Sequence, residues 1–287
     1  MAMLLSLRAV IAQVTVEVLF DEQQYLPSET LTAKVRISNS SGKTLTFGRE
    51  ENWLLINVEG SDGYIVPQIK SIPVVGEFSL ESSQVGTKRI DLAPYFELSK
   101  IGRYRATAVV RVPGFEGQFE GRSKPFDISS GSTIWETTFG VPEENGEGKS
   151  TEMRKYLLVQ ANQGKQIKLY VRVTDQAETH NIRVFPLGPV ISFSRPEPQV
   201  DRWSNLHVLQ QTGARTFSYY MITPDGFLLA RETHEYAPDS RPVLKADVSG
   251  KISVKGGTRR YASSDLPPDF PKDRESDEPS DAKKTSP

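Results

Sequence analysis

Side-chain polarity alternates residue by residue between Gly102 and Val112. One face of an extended chain would carry the apolar residues Tyr104, Ala106, Ala108, Val110 and Val112. The opposite face would carry Arg103, Arg105, Thr107 and Arg111. A period of two is typical of a strand with one buried face and one solvated face. The segment therefore predicts a β-sheet that covers a core on one side only.

The start of this strand carries a local motif. In Ile101-Gly-Arg-Tyr104 a glycine precedes the tyrosine by two residues. This resembles the tyrosine corner of immunoglobulin-like sandwiches, in which the ring packs inward and the hydroxyl bonds to nearby backbone. We therefore expect Tyr104 to be buried and to anchor its domain.

Similar segments recur roughly every 10–12 residues, with turn signals between them and no helical period. Strands are predicted at 14–20, 31–38, 44–47, 53–58, 64–69, 74–80, 85–92 and 118–128. The fold class predicted is all-β, and residues 13–128 are predicted to form an antiparallel sandwich. Because Lys34 and Arg36 lie on another strand than Arg103, Arg105 and Arg111, we expect two solvated basic faces rather than one groove.

This first domain resembles bacterial extracytoplasmic immunoglobulin-like β-sandwich domains, the intracellular proteinase-inhibitor type among them. The resemblance rests on the strand spacing, on Tyr25-Leu-Pro-Ser-Glu29 before an alternating strand, on Ile37-Ser-Asn-Ser-Ser-Gly42 and on Ile101-Gly-Arg-Tyr104. It covers less than half of the chain. What it implies is a binding scaffold, with proteinase inhibition as one alternative.

The remainder of the chain divides by composition. Residues 129–150, with several glycines and glutamates, are predicted to be a linker and exposed loop. Residues 151–262 are predicted to be a second β domain, a sandwich or a meander, with a hairpin around Asn162-Gln-Gly164 and a three-stranded meander over 206–234. Residues 263–287 are rich in Pro, Ser, Asp and Lys and are predicted to be a disordered tail.

The first twelve residues allow two interpretations. Met3 to Ala12 is similar to the end of a signal-peptide apolar region, with Val10-Ile-Ala12 as a small-residue cleavage site. The alternative is a first strand that begins early. We favour the signal-peptide remnant at 1–12, and with it an extracytoplasmic (periplasmic or secreted) location.

Composition excludes several classes of function. The chain has 287 residues, a formal net charge of −1 and no cysteine. A net charge near zero gives no field that would steer the protein to nucleic acid. Without cysteine there are no disulfides, thiol nucleophiles, iron–sulfur clusters or Cys-containing zinc sites. No apolar run is long enough for a membrane span.

Local motifs for catalysis or metal binding fail on inspection. His180, His207 and His234 lack the spacing of metal ligands and are interpreted as loop or strand-end histidines. Gly146-Glu-Gly-Lys-Ser150 has Glu143 where a phosphate-binding loop needs a glycine. Carboxylates brought together only by the fold would leave no local motif, and Asp201, Asp225 and Glu232 cannot be ranked from sequence. We therefore predict no catalytic residue, no cofactor-binding residue, no metal site and no cofactor.

Aromatic residues of the second region suggest one ligand class. Trp203, Tyr219, Tyr220 and Tyr236 lie there, and adjacent Tyr219 and Tyr220 must point to opposite faces of their strand. An exposed ring on a sheet can stack against a sugar. Ordinary cross-strand packing is the interpretation we prefer.

Taken together, the sequence predicts a non-enzymatic, extracytoplasmic binding or structural protein that acts on a protein or cell-surface partner. A carbohydrate-binding module and a proteinase inhibitor are the alternatives, and a carboxylate-dependent hydrolase comes last. A deep cavity with clustered carboxylates would favour the hydrolase. A shallow aromatic platform would favour the sugar binder, and a flat face would favour a protein partner.

Overall fold

A computed structural model describes residues 14–74, 76–115, 117–141, 152–164, 166–191 and 193–265. Predictions that fall wholly or partly outside these ranges include the signal-peptide remnant at 1–12, residues 142–150 of the linker and residues 266–287 of the tail. The motif Gly146–Ser150 is also outside them.

Every regular element in the described ranges is a β-strand, and the all-β prediction is confirmed. Correspondingly, these ranges contain no helix that is long and apolar enough to cross a bilayer. The chain divides into two compact units, Met1–Ser192 and Phe193–Pro287, which we term the N-terminal unit and the C-terminal unit.

The N-terminal unit contains β1 (Val14–Phe20), β2 (Gln24–Tyr25), β3 (Thr32–Asn39), β4 (Leu45–Phe47), β5 (Leu54–Gly60), β6 (Phe78–Leu80), β7 (Val85–Asp91), β8 (Gly102–Val110), β9 (Phe119–Glu120), β10 (Lys124–Ile128), β11 (Ser132–Gly140), β12 (Met153–Gln163), β13 (Gln166–Asp175) and β14 (Asn181–Pro189).

Two sheets of this unit enclose a common core. One has the strand order β1-β3-β7 and the other β2-β10-β8-β5, with β9 paired to β8. Buried residues alternate with exposed or partly buried ones along β1, β3 and β5, and the buried apolar side chains of both sheets belong to one cluster. The described residues of this region therefore form a β-sandwich, with a short parallel pair between β2 and β10.

Tyr104 anchors this sandwich as predicted. Its ring is buried and stacks on Phe126 of β10 at a centroid distance of 5.6 Å. Its hydroxyl donates a hydrogen bond of 2.7 Å to the carbonyl of Lys100. A buried tyrosine needs such a partner because an unpaired buried hydroxyl is costly.

The predicted basic faces lie on different sheets, since β3 and β8 belong to different sheets. Arg103 is paired with Asp127 at 2.9 Å, and Lys34 is paired with Asp21. Arg36 lies 3.9 Å from Glu17. These cations are neutralised by neighbouring carboxylates and form no common groove.

The predicted linker needs a correction. Residues 132–140 are not a linker but strand β11, which pairs with β12 from Ser132↔Gln160 to Gly140↔Met153. Thr, Ile, Trp and Phe in this segment favour a strand and outweigh the flanking glycines. Gly131 serves close packing, because a Cβ there would lie 2.2 Å from Cγ1 of Val159. The boundary between the two compact units accordingly follows Ser192, beyond the sheet of order β11-β12-β13-β14.

Residues 22–29, which we term the joint loop, connect the sandwich to this four-stranded sheet within the N-terminal unit. Nε2 of Gln163 donates to the carbonyl of Gln24 at 2.7 Å, and Nζ of Lys168 pairs with Glu22 at 2.6 Å. Leu26 packs against Leu157, Val159, Ala161, Tyr170 and Val184. The joint loop is therefore held by both apolar and polar contacts.

The joint loop also buries an acid. Glu29 is 5% exposed and forms a single parallel bridge with Val184 of β14. Its carboxyl accepts one hydrogen bond, 2.8 Å long, from the backbone N–H of Leu26. Burial raises the pKa of Glu29 to about 7, and neither that hydrogen bond nor the nearby Lys168 offsets the effect.

The C-terminal unit contains β15 (Glu197–Val200), β16 (Leu206–Gln211), β17 (Thr216–Ile222), β18 (Leu228–Glu235), β19 (Val243–Ala246), β20 (Ile252–Lys255) and β21 (Thr258–Arg260). The predicted meander is present as β16, β17 and β18, in a sheet of order β15-β16-β17-β18-β21. A separate hairpin of β19 and β20 packs Leu244 and Ile252 against Leu209, Phe217 and Tyr219 of that sheet.

Candidate ligand-binding cavity in the C-terminal unit

Strand register gathers polar residues on one face of the C-terminal sheet. Leu209 of β16 is opposite Tyr219 of β17, and Tyr219 is opposite Glu232 of β18. Residues directly opposite one another in an antiparallel pair, and residues two apart along a strand, share a face. His207, Tyr219, Glu232 and His234 therefore lie on the same face as Leu209.

The hairpin of β19 and β20 covers the apolar part of this face and leaves a cavity of about 730 Å³ beside it. The size falls within the roughly 300–1,000 Å³ of pockets that enclose small ligands. The polar lining comes from Asp201, Asn205, His207, Tyr219, Glu232, His234, Lys251 and Ser253. Trp203, Met221, Ile252 and Val254 supply the apolar lining.

Asp201 is held by the loop that follows β15. Its Oδ1 accepts hydrogen bonds from the backbone N–H groups of Trp203 at 2.9 Å and Asn205 at 2.8 Å. Its Oδ2 accepts from Nδ2 of Asn205 at 3.0 Å and lies 3.1 Å from Nε2 of His207. Burial alone raises the pKa of Asp201, but these hydrogen bonds outweigh it and hold the pKa below its ordinary value. The group is therefore a fully engaged carboxylate.

A hydrogen-bonded chain runs from Asp201 through His207 to Tyr219. Because Asp201 is ionised, Nε2 of His207 carries the proton, and Nδ1 accepts from the hydroxyl of Tyr219 at 2.8 Å. Burial lowers the pKa of His207 and outweighs the opposing effect of Asp201, so the imidazole is neutral at pH 7. Burial, with a smaller contribution from Glu232, raises the pKa of Tyr219 well above its ordinary value.

A second pair lies on β18. Nε2 of His234 is 3.0 Å from Oε2 of Glu232. Nε of Arg259, on β21, is 3.4 Å from the same oxygen. Oε1 of Glu232 and Nδ1 of His234 have no hydrogen-bond partner among the described residues, and both side chains line the cavity. These two atoms therefore have hydrogen-bonding capacity left for a ligand.

The cavity edge carries an aromatic ring and a cation. Trp203 is 44% exposed, and the guanidinium of Arg202 lies 4.5 Å from the centre of its ring. Arg202 is itself fixed by a hydrogen bond to the carbonyl of Ser249. Lys251 is exposed and lines the cavity, and its charge helps to lower the pKa of nearby Asp247. The edge of the cavity therefore places the indole ring of Trp203, which Arg202 contacts, near the positive charge of Lys251.

The structure brings some of the residues singled out from sequence together and leaves others apart. Asp201 and Glu232 both line the cavity, whereas Asp225 lies in the exposed turn between β17 and β18. Among the histidines, His207 and His234 are buried near strand ends, whereas His180 is exposed in a turn. Tyr219 and Tyr220 are both buried, so neither is the exposed ring that a sugar could stack on.

Other residues of the cavity were missed from sequence. Asn205, Lys251 and Ser253 had no motif to mark them. The position of Asn205 had one local signal. An aspartate followed by turn-forming residues often accepts hydrogen bonds from the backbone of its own loop, and Asp201 does so from Trp203 and Asn205.

Within the described ranges no group of three or more His, Asp or Glu side chains could hold a metal ion. Both ring nitrogens of His207 are already engaged. A cavity of about 620 Å³ in the N-terminal unit is lined partly by Arg103 and Asp127, which neutralise each other. Within the described residues, buried titratable groups converge in the cavity of the C-terminal unit, and we take it as the candidate site.

Comparisons with known proteins add little. No protein-family model matches the chain, and no curated protein matches it. Among solved structures, the sporulation control protein Spo0M from Bacillus subtilis is similar at a TM-score of 0.30 and 8% sequence identity, over 60% of this chain and 83% of that chain. A similarity at that level carries no argument about fold or function, and the function must be inferred from the cavity.

Proposed function

We propose that this protein is a non-enzymatic binding protein and that the cavity of the C-terminal unit holds a small polar ligand. The observation that carries the proposal is the Asp201–His207–Tyr219 chain. It fixes the floor of the cavity through hydrogen bonds made within the protein, while Glu232, His234 and Lys251 keep free groups at its wall. Such a pre-organised site lowers the entropy lost on binding.

Binding is favoured over catalysis by the state of the same groups. A general acid or base needs a proton or lone pair that can reach the substrate and a pKa near the working pH. Asp201 has its oxygens occupied and a lowered pKa, and Tyr219 has a raised pKa that opposes its acting as a nucleophile. Asp201 and Tyr219 therefore lack the properties of a general acid, a general base or a nucleophile.

A concave site also favours a small ligand over a flat protein surface as the first partner to test. Small ligands bind in clefts that contain a few placed polar groups among apolar ones, which is the composition of this cavity. The extracytoplasmic location stays a prediction that rests on residues 1–12.

One observation keeps a hydrolase as the second candidate. The pair of Nδ1 of His207 and the hydroxyl of Tyr219, 2.8 Å apart, has the geometry of a base and a nucleophile. The Tyr219 hydroxyl would have to lose a proton that burial makes harder to remove. The hydrolase hypothesis is therefore the weaker of the two.

The test is a ligand screen with purified full-length protein, read by thermal shift and confirmed by calorimetry. We expect a small polar ligand to stabilise the wild type, and Glu232→Gln and Lys251→Ala to reduce that stabilisation. Asp239→Ala, at an exposed position of the same unit, is the matched control and should bind as the wild type does. A parallel hydrolase screen should give no turnover. Turnover that Tyr219→Phe abolishes would replace the proposal with the hydrolase.

A further inference from the structure

The cavity presents two kinds of recognition surface. One is the ring of Trp203, which is half-exposed and lines the cavity. The other is a set of polar side chains at the wall, from Glu232, His234 and Lys251. A ligand that satisfies both must be apolar on a flat side and rich in hydrogen-bonding groups around its edge.

The ring of Trp203 is suited to stacking because it is held in place. Asp201 accepts a hydrogen bond from the backbone N–H of Trp203, which fixes the main chain below the ring. The guanidinium of Arg202 lies over the ring at 4.5 Å and is tied to Ser249. A ring that is already ordered loses little entropy when a ligand stacks on it.

The free polar atoms include both acceptors and donors. Oε1 of Glu232 is an acceptor without a partner in the described ranges, and exposed Lys251 supplies Nζ as a donor. Nδ1 of His234 is also free. A hydroxyl group both donates and accepts, so neighbouring hydroxyls can satisfy an acceptor and a donor at once.

We infer that the ligand is a carbohydrate, with one pyranose ring stacked on Trp203 and its hydroxyls bonded to Glu232 and Lys251. This inference rests on the proposed function and narrows it to one class of ligand. The C–H side of a pyranose supplies the flat apolar surface, and its equatorial hydroxyls supply the edge. The cavity of about 730 Å³ leaves room for such a ring together with ordered water.

A flat nucleobase is the main competing ligand, since it also stacks on tryptophan. A nucleobase carries its polar groups in the plane of an aromatic ring, and that ring has no neighbouring hydroxyl groups as a pyranose has. An anionic nucleotide would also meet Glu232 at the wall. Nucleosides are therefore the comparison ligands of the test.

The experiment measures binding of full-length protein to methyl glycosides of glucose, galactose and mannose, to cellobiose and to glucuronic acid, with adenosine and uridine as comparison ligands. Calorimetry gives the dissociation constants, and saturation-transfer NMR identifies the ligand protons in contact. We expect at least one sugar to bind, with its ring C–H protons giving the strongest transfer. Trp203→Ala should weaken that binding about tenfold or more, and Trp203→Phe should retain part of it.

Two further variants complete the design. Glu232→Gln should weaken sugar binding about tenfold, because a hydrogen bond to a charged acceptor is replaced by a weaker one. Tyr64→Ala, which removes an exposed ring of the N-terminal unit, is the matched control and should bind as the wild type does.

The outcomes separate this inference from the proposed function. Sugar binding that depends on Trp203 supports both. Binding of a nucleoside or another non-sugar ligand that depends on Trp203, with no sugar bound, overturns the carbohydrate inference and keeps the cavity as a binding site. Sugar binding that Trp203→Ala leaves unchanged also overturns the inference. Failure of every ligand class in the screen overturns both.

Discussion

The two units each bury a carboxyl group, and they treat it in opposite ways. Glu29 in the N-terminal unit accepts one hydrogen bond and has its pKa raised to about 7. Asp201 in the C-terminal unit accepts bonds from Trp203, Asn205 and His207 and has its pKa lowered. Both side chains are largely inaccessible to solvent, and burial raises the pKa of each, but only at Asp201 do the hydrogen-bond donors outweigh that effect. Glu29 is a protonated acid at a packing contact, whereas Asp201 is an ionised acid that positions the residues of the cavity.

The largest effect is expected for Asp201→Ala. The change leaves buried donors of His207 and of the loop without an acceptor, and each such group costs about 1–3 kcal/mol. We expect the free energy of unfolding to fall by about 4 kcal/mol in urea titrations. Asp239→Ala is the control at an exposed position. A loss no larger than that of the control would mean that the donors of Asp201 find other partners.

Glu29→Gln should stabilise the protein above pH 7. Folded Glu29 holds its proton up to about pH 7, whereas the ordinary value is 4.5, so the folded state binds more protons between those values and wild-type stability falls as pH rises through them. A shift of this size corresponds to about 3 kcal/mol. Glutamine removes that loss, so the variant should exceed the wild type at pH 8 and match it near pH 4.

Urea titrations at several pH values measure this difference. Glu59→Gln, at an exposed position of the same unit, should leave the pH dependence unchanged. If the free energy of unfolding depended on pH equally in Glu29→Gln and the wild type, the Glu29 carboxyl would be hydrated in solution.

Removing a hydroxyl should cost more in the C-terminal site than in the N-terminal sandwich. Tyr219→Phe leaves Nδ1 of buried His207 without a donor, and we expect a cost of about 2 kcal/mol. Tyr104→Phe exposes only the carbonyl of Lys100 to water, and we expect about 1 kcal/mol. Thermal and urea unfolding of the two variants give the comparison. A larger loss of stability for Tyr104→Phe than for Tyr219→Phe would contradict a rigid Asp201–His207–Tyr219 hydrogen-bonded chain.

The smallest effect is a difference in acid response between the units. As pH falls from 7 to 5 through the ordinary histidine pKa of 6.5, the unfolded chain takes up a proton more readily than buried His207, whose pKa is lowered by burial, so the C-terminal unit loses stability. Over the same interval protonation of Glu29 stabilises the N-terminal unit. The slope for each group is at most about 1.4 kcal/mol per pH unit.

Hydrogen exchange followed by mass spectrometry measures the two responses separately. We expect amide protection to fall in β16–β18 and to rise in β12–β14 on acidification. If amide protection rose or fell in both segments together on acidification, the two units would not respond to pH in opposite ways.

The first sandwich was predictable because its signals are local. The alternation along β8 identified a half-buried strand, and the glycine two residues before Tyr104 identified the anchor. Local signals also misled. Residues 64–69 form only isolated bridges instead of the predicted strand, and Pro67 has no N–H to donate to a ladder. The glycines around β11 suggested a linker, although Gly131 is required by packing against β12.

The candidate site could be predicted only in its parts. His207, Tyr219 and Glu232 lie on three strands, and they meet because of the register of two strand pairs. Register depends on the whole sheet, and no spacing within one strand encodes it. The burial of Glu29 was equally hidden from the sequence, since its backbone forms a bridge with Val184 on a strand far along the chain.

The contacts of the joint loop have a consequence for the order of folding. Gln24 bonds to Gln163 across 139 residues of chain, and Ser28 bonds to Asn181 across 153. Contacts this distant in sequence close large loops and tend to form slowly. During synthesis from the N-terminus, β1–β10 leave the ribosome before the strands that receive the joint loop exist. Until β14 has been made, Glu29 lacks its bridge to Val184, so a newly made chain carries this acid outside its final environment.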